Sequence, residues 1–561
     1  MRCPTTPFAA CVLLAVPAGA ATFDVTADQA RPAQALQRAL DRARPGDTVR
    51  MAAGTYRLDR AIDLRPGVTL AGAGAGTVLA SAHGDHALLQ LINDGDGAIR
   101  GGAVRDLTLD GAGGQNAYGV LAFGDSAPID GLELRGLTIR HIADPRPDAD
   151  PHQFGVFLTR NVTGATLADS TITDINPASM WAAGVRIAKG SSDATVTRNV
   201  IDRTGRGGIL ANDGSERLII RGNVVTRSGL AAAANRAAAA GGRPDESENA
   251  ARLGIELFNG SHDSVVQDNR VDRWISIDNA DRVAIRNNVV QPTGEDDAGP
   301  GFAGIELVDA RLAVVSGNQV DGDNPDRPGV QRDVSIGLSV SGAGVTERVL
   351  VDGNTFTHAN TFALQLQGEA GGARQFYFHD NAFTDAAPTD DAFIPDQGHG
   401  LRLIDHVSGV VFDRTTSTGH AGEAVQFLDG DHGGVSGVRF VGPEAKAAGV
   451  LDAPGPAVPP ADFRPGDDFT ATFIDAQGRV LNPSEVLWDL GVGPPVVTDA
   501  AVLAGTHTAG LPHGHLISAV AFDLSDPDAP RMAFLQARAA PTPSAAAGGL
   551  LLGCGLLKRR R

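Results

Sequence analysis

GVRIAKGSSDATVTRN (Gly184–Asn199), GILANDGSERLIIRGN (Gly208–Asn223), GIELFNGSHDSVVQDN (Gly254–Asn269) and GIELVDARLAVVSGN (Gly304–Asn318) can be laid over one another. Each opens on Gly, alternates apolar and polar residues, passes a turn of small polar residues, alternates again and closes on Asn. Strict alternation is the period of a half-buried strand, and Gly, Ser and Asp supply the turns. A unit of this length, with two or three strands and no helix, cannot bury its apolar face alone. It must stack on its neighbours. Asn199, Asn223, Asn269, Asn288, Asn318, Asn354 and Asn381 recur at the closing position. Asparagines stacked in one turn can hydrogen-bond from coil to coil as a ladder, which fits a solenoid better than a sandwich.

A solenoid spends length without adding domains, so 561 residues need not mean several cores. Acidic residues outnumber basic ones, 66 to 47, for a net charge of −19. With no basic stripe, a nucleic-acid partner is excluded from the reading. The same charge disfavours a polyanionic sugar unless a local arginine patch or a bound cation offsets it. Glycine, at 70 residues, is abundant but too irregular for collagen and suits a fold made of turns.

Residues 1–20 read as a secretory signal: Arg2, the apolar run PFAACVLLAV, then Ala18-Gly19-Ala20 as a cleavage site. Cys3 and Cys11 fall in that segment and Cys554 in the tail, so the exported body has no disulfide to hold it. From residue 32 the chain shows helical spacing at Ala35, Leu36, Leu40 and Ala43, stopped by Pro45-Gly46. An amphipathic helix there would cover the open end of the first rung.

That helix, followed by PGDTVRMAAGTYRL, GVTLAGAG and rungs such as GIELFNGSHDSVVQDN, resembles the right-handed parallel β-helix proteins of the pectin-lyase-like superfamily. The resemblance covers residues 22–450 and is specific for fold, not for activity. The superfamily includes polysaccharide lyases, glycoside hydrolases, epimerases, phage tailspikes and adhesins. Asp150-Pro151-His152 is similar to the Asp-Pro-His of alginate C5-epimerases, but precedes the strand GVFL instead of lying on it, with Gln153 where an acid is usual. Gly398-His399-Gly400 is similar to an element of polygalacturonases whose companion acid motifs are absent here. DGDNPD, Asp321 to Asp326, has the acid spacing of a calcium loop but carries Arg332 where the twelfth-position Glu belongs. No cofactor or catalytic metal is therefore expected, with calcium as the one candidate ion.

The register of the repeat points to a site. In Gly-Ile-Glu-Leu the residue between the two apolar ones faces outward. That column reads Phe157, Arg186, Leu210, Glu256, Ser276, Glu306, Ser339, Gln365, Arg402 and Gln426, and one step further come Phe258, Asp278 and Val308. Rungs stack about 4.8 Å apart, which sets the backbones of Glu256 and Glu306 roughly 10 Å from each other, with Asp278 on the rung between. Three carboxylates within reach of one sugar suit acid–base hydrolysis, and repulsion with partial burial would keep one of them protonated. Phe258 is placed to stack on a sugar, and Arg186 and Arg402 to contact its carboxylates or sulfates. Acids on a solvated strand face are the plain alternative. Alanine-rich residues 227–253, read as a helical excursion, and residues 293–301 interrupt the repeat just before Glu256 and Glu306, where insertions form binding loops.

Beyond residue 450 the repeat fades. Residues 451–461 are a Pro-rich linker, and 462–538 alternate as a small β-sandwich-like domain. The tail, 539–561, has Pro541-Thr542-Pro543, a short apolar run and a basic end, and resembles a PEP-CTERM sorting signal cut by an exosortase-type enzyme. The run is short for a membrane span, so membrane contact is expected only transiently. The sequence thus describes an exported, cell-surface or extracellular all-β protein acting on polysaccharide. Glycoside hydrolysis through Glu256, Asp278 and Glu306 leads. A lyase or epimerase, with Arg186, Lys189 or His152 as base, and a non-catalytic carbohydrate-binding or matrix protein are the alternatives.

Overall fold

The computed structural model describes residues 20–441, apart from 83, 85–86, 113, 144–151, 232–251, 294–300, 327–333, 388–397, 414 and 429, together with six strands between 469 and 538. Segments 1–19, 451–461 and 539–561, with the signal, linker and sorting-tail assignments, lie outside the described residues. So do all three cysteines.

The body is a right-handed parallel β-helix. One rung is typical: Ala183–Ala188, Thr195–Thr197 and Val200–Thr204 make three short strands separated by tight corners. Each pairs in parallel with its counterpart one rung on, so Val185 meets Ile209, Val196 meets Ile220 and Ile201 meets Val225. The third strands form a 13-stranded sheet. The first and second belong to one 26-stranded sheet because Phe362–His379 and His399–Asp413 run through the corner between the two faces.

Alternation explains the core. Val185, Ile187, Val196 and Ile201 point inward and are fully buried, and the same holds rung after rung. The opening Gly of the repeat follows from that packing. A Cβ on Gly184 would come within 2.4 Å of Ile201 Cγ2, and one on Gly304 within 2.2 Å of Val320 Cγ1. The closing turn needs a left-handed residue just before each Asn, at Arg198, Gly222, Asp268, Asn287, Gly317, Gly353 and Asp380. Gly, Asn and Asp tolerate that conformation best, and only Arg198 departs from the set.

The asparagine ladder is present. Asn199 Nδ2 donates to Asn223 Oδ1 at 3.0 Å, and the pattern continues through Asn269, Asn288, Asn318 and Asn354 to Asn381. Each Oδ1 also accepts the backbone N–H of the Asn before it, as Asn288 does from Asn269 at 3.0 Å. The side chains are at most 2% exposed, so these bonds satisfy a column of groups that water cannot reach.

The N-terminal helix is Pro32–Arg42. It buries Ala33, Leu36, Gln37 and Leu40, while the expected Ala35 and Ala43 sit at the edge of that stripe. The stripe is rotated because Gln37 has a task at the interface. Its Nε2 donates to Asp63 O at 3.1 Å and its Oε1 accepts from Asp63 N at 2.9 Å, satisfying the backbone of the first strand edge. At the other end, Phe469–Ile474, Val480–Leu481, Leu516–Asp523 and Arg531–Arg538 form a four-stranded antiparallel sheet, and Val496–Val497 pairs with Val502–Leu503. This small C-terminal β unit is antiparallel, unlike the coil. No helix among the described residues is long and apolar enough to cross a membrane.

Candidate active site

Strand pairing sets the outward column in one line. Phe157 pairs with Arg186, Arg186 with Leu210, and Leu210 with Glu256. Glu256 then pairs with Ser276, Ser276 with Glu306, Glu306 with Ser339, Ser339 with Gln365, Gln365 with Arg402 and Arg402 with Gln426. Phe258 lies opposite Asp278, and Asp278 opposite Val308. The rung carrying Asp278 is complete despite its short spacing, because a two-residue corner, Asp272-Arg273, leads into Trp274–Asp278.

This face is not the wet surface that the alternation implies. Ser276 is 3% exposed, Glu306 9% and Ser339 0%. A second apolar cluster, separate from the main core, joins Leu210 of this column to Phe154, Ala183, Leu253, Trp274 and Ala303 from the entry ends of the same strands. Those ends are where both insertions enter. Most of the 227–253 excursion, with its expected helix, lies outside the described residues, as does 294–300.

Burial gives the carboxyls distinct characters. Glu306 is pushed up to about 7 by desolvation, against a hydrogen bond from Ser276 Oγ to its Oε2 at 2.7 Å, with Asp278 and Glu256 adding repulsion. Asp278, also desolvated and facing Glu256 and Asp309, is raised to about 6. Glu256 is raised by burial too, but the positive charges of Arg206 and Arg186 oppose the rise. Offset by one rung and two residues, the backbones of Asp278 and Glu306 are roughly 8 Å apart.

Arg206 was not picked out by the sequence reading. Its Nη2 lies 3.4 Å from Glu256 Oε1, and its guanidinium stacks over Trp181 with Cζ 5.5 Å from the ring centroid. It sits in the corner before Gly207–Asn212, outside the repeated positions, and the Arg-Gly-Gly entry to that strand was its only signal. Arg186 holds Asn212 Oδ1 through Nε at 3.2 Å and covers Phe154, with Cζ 5.2 Å from that ring. Phe258 is exposed beside Asp278. Arg402 is three rungs beyond Glu306, stacked on Phe362.

The partial motifs take other places. The strand after Asp-Pro-His begins at Phe154, one residue earlier than expected, and His152 packs against Trp181 with centroids 5.2 Å apart. Asp150 and Pro151 lie outside the described residues. Lys189 is exposed at a left-handed corner after Ala183–Ala188. His399 Nδ1 accepts the Glu423 N–H at 2.8 Å, a turn-forming contact. In the acidic loop, Asp321 and Asp323 both face His358, at 2.8 and 3.5 Å from its Nδ1. These three groups converge closely enough to share an ion, as do Asp352, His379 and Asp380. A cleft of about 560 Å³ lies at the capped end, lined by Phe23, Arg38 and Arg42, far along the coil from the carboxyls.

Residues 90–269 match the family model for the right handed beta helix region. No curated protein matches the chain. Among solved structures it is similar to the A-module of mannuronan C-5 epimerase AlgE6 from Azotobacter vinelandii, at 18% identity and TM-score 0.47, over 68% of this chain and 94% of that one. It is also similar to the catalytic unit of an α-1,3-glucanase from Streptomyces thermodiastaticus, at 15% identity and TM-score 0.41, over 76% of this chain and 68% of that one. A third is DFA-IIIase from Arthrobacter chlorophenolicus, at 12% identity and TM-score 0.43, over 67% of this chain and all of that one.

Proposed function

We propose that this protein is an exported, polysaccharide-active enzyme, and specifically a glycoside hydrolase that works through the carboxyls of three consecutive rungs. The observation that carries the reading is the contrast within that group. Glu306 is held near neutrality by burial, next to Asp278 whose proton leaves at lower pH and Glu256 paired with Arg206. Glu306, protonated, gives its proton to the glycosidic oxygen as the bond to the anomeric carbon breaks. Asp278, ionised, takes a proton from a water that attacks the same carbon from the opposite side. Glu256, held by Arg206, faces the positive charge that grows on the sugar. Carboxyls about 6.5–9.5 Å apart leave room for that water and invert the anomeric centre. Phe258 offers a ring for sugar stacking, and Arg186 a cation.

Turnover should follow a narrow bell in pH, rising near 6 with Asp278 and falling near 7 with Glu306. The decisive experiment incubates the protein with a panel of polysaccharides and reads both new reducing ends and unsaturated uronate absorbance. Reducing ends without absorbance, lost by about 10²–10⁴-fold in Glu306→Gln and Asp278→Asn, support hydrolysis. Unsaturated uronate would replace it with a lyase, and no product from any glycan with binding retained would leave a carbohydrate-binding protein. Export by the 1–20 signal and sorting through the 539–561 tail belong to the same proposal. Secreted protein that begins at Ala21 and lacks Arg561 by mass is the outcome it requires.

A further inference from the structure

Several arginines on this coil pair with an acid on the neighbouring rung. Arg198 holds Asp169 at 2.7 Å, Arg203 holds Asp174 at 2.6 Å, Arg217 holds Asp193 at 2.8 Å and Arg311 holds Asp281 at 3.0 Å, each across one rung. On the carboxyl face, Arg206 is paired with Glu256 and Arg186 with Asn212.

Arg402 is partly buried and not paired in this way. Among the described residues its guanidinium has no ion pair and no hydrogen bond. Its Nε is enclosed without a hydrogen-bond partner, and its guanidinium lies over the Phe362 ring, 4.6 Å from Cζ to centroid. Burial lowers its pKa, and no carboxylate among the described residues opposes the effect. The amides of Gln365 and Gln426 flank it on the rungs before and after. A cation that has lost part of its water and gained no counter-charge is costly to keep unless something completes it.

We infer that Arg402, backed by Phe362 and flanked by Gln365 and Gln426, is an anion subsite that binds an acidic substituent, carboxylate or sulfate, of the glycan lying along this face. Arg402 shares the outward column with Glu306, three rungs away, so their backbones are roughly 14 Å apart, the span of a short oligosaccharide. A planar guanidinium suits either anion, and Gln amides beside it suit ring hydroxyls. The inference deepens the glycan reading of this face and makes the substrate acidic despite the chain's net charge of −19. The local positive charge admits it.

The test is a binding measurement on the Glu306→Gln chain, so that turnover plays no part and failure of the hydrolase chemistry leaves it intact. Alginate, polygalacturonate and chondroitin sulfate are titrated, each beside its carboxyl-reduced or desulfated twin. At least one acidic chain should bind more tightly than its neutral twin, with the advantage falling as salt rises. Adding Arg402→Gln should weaken that chain by about 10- to 100-fold and erase the preference, the usual size of a charge-assisted bond. Arg402→Lys should keep part of it. Because the guanidinium makes no hydrogen bond or ion pair among the described residues, Arg402→Gln should melt close to its parent. Uronate and sulfate arms separate the two anions. Equal binding of the neutral twins, a preference that survives Arg402→Gln, or no acidic chain bound at all would overturn the proposal.

Discussion

Glu306 carries the conflict between fold and chemistry most sharply. Its carboxyl is shut away beside Ser276, and its pKa is about 7 against an ordinary 4.5. The folded chain therefore binds that proton more tightly than the unfolded one. Its contribution to stability is complete below pH 4.5 and is lost as pH rises through about 7. Asp278 acts with the same sign between 3.8 and about 6. Glu306→Gln keeps an acceptor for Ser276 and never ionises, so it should melt above the parent at pH 8, by on the order of 2–3 kcal/mol, and near it at pH 5. Thermal melts at both pH values decide the point, and parallel curves would mean that Glu306 is solvated after all. Leu257→Ala, one residue beyond Glu256, is the contrast. Leu257 is fully buried in the coil, so its loss should cost about 2–5 kcal/mol at either pH.

Among the elements, the asparagine turn shows how a strand register is held. Asn288 Nδ2 donates to Val266 O at 2.9 Å and to Asn318 Oδ1 at 3.0 Å, while its Oδ1 accepts both the backbone N–H and the side-chain amide of Asn269. Asn288→Ala strands buried donors and a carbonyl in a place water does not enter, and should cost on the order of 2–4 kcal/mol by chemical denaturation. Asn287→Gly, at the neighbouring left-handed and exposed position, should change stability by less than about 1 kcal/mol. Equal effects would show the ladder to be incidental. This ladder was legible in the sequence because Asn returns at a fixed place in a period-two pattern, and the anchor aligned Glu256, Ser276 and Glu306 correctly. The burial of Ser276 and Glu306 was not legible. Leu253, Trp274 and Ala303 stand two or three residues before Glu256, Ser276 and Glu306, and nothing in a single strand says that such neighbours from successive rungs will pack together. Arg206 escaped for a related reason, since corners vary from rung to rung and a pattern sees only what repeats.

At the scale of the whole molecule, a coil of this kind has two ends and little else to unfold it from. All three cysteines lie outside the described residues, and stacking from rung to rung carries the described body. Its N-terminal edge is closed by Pro32–Arg42, through Leu36 and Leu40 on the core and Gln37 on both backbone groups of Asp63. Turning Leu36 and Leu40 to Asp should lift that helix off and uncover a flat strand edge with apolar Val25, Met51 and Tyr56 behind it. An open edge recruits another edge, so the variant should associate end to end, increasingly with concentration, by light scattering. Contacts in a solenoid are local, so the middle of the coil should hold. Backbone amides of Asn223, Asn269 and Asn288 should keep their hydrogen-exchange protection while those near residues 48–63 lose it. If the whole chain unfolded together, the coil would be one cooperative unit closed by its cap. If the variant stayed monomeric, the edge would be protected by something other than the helix.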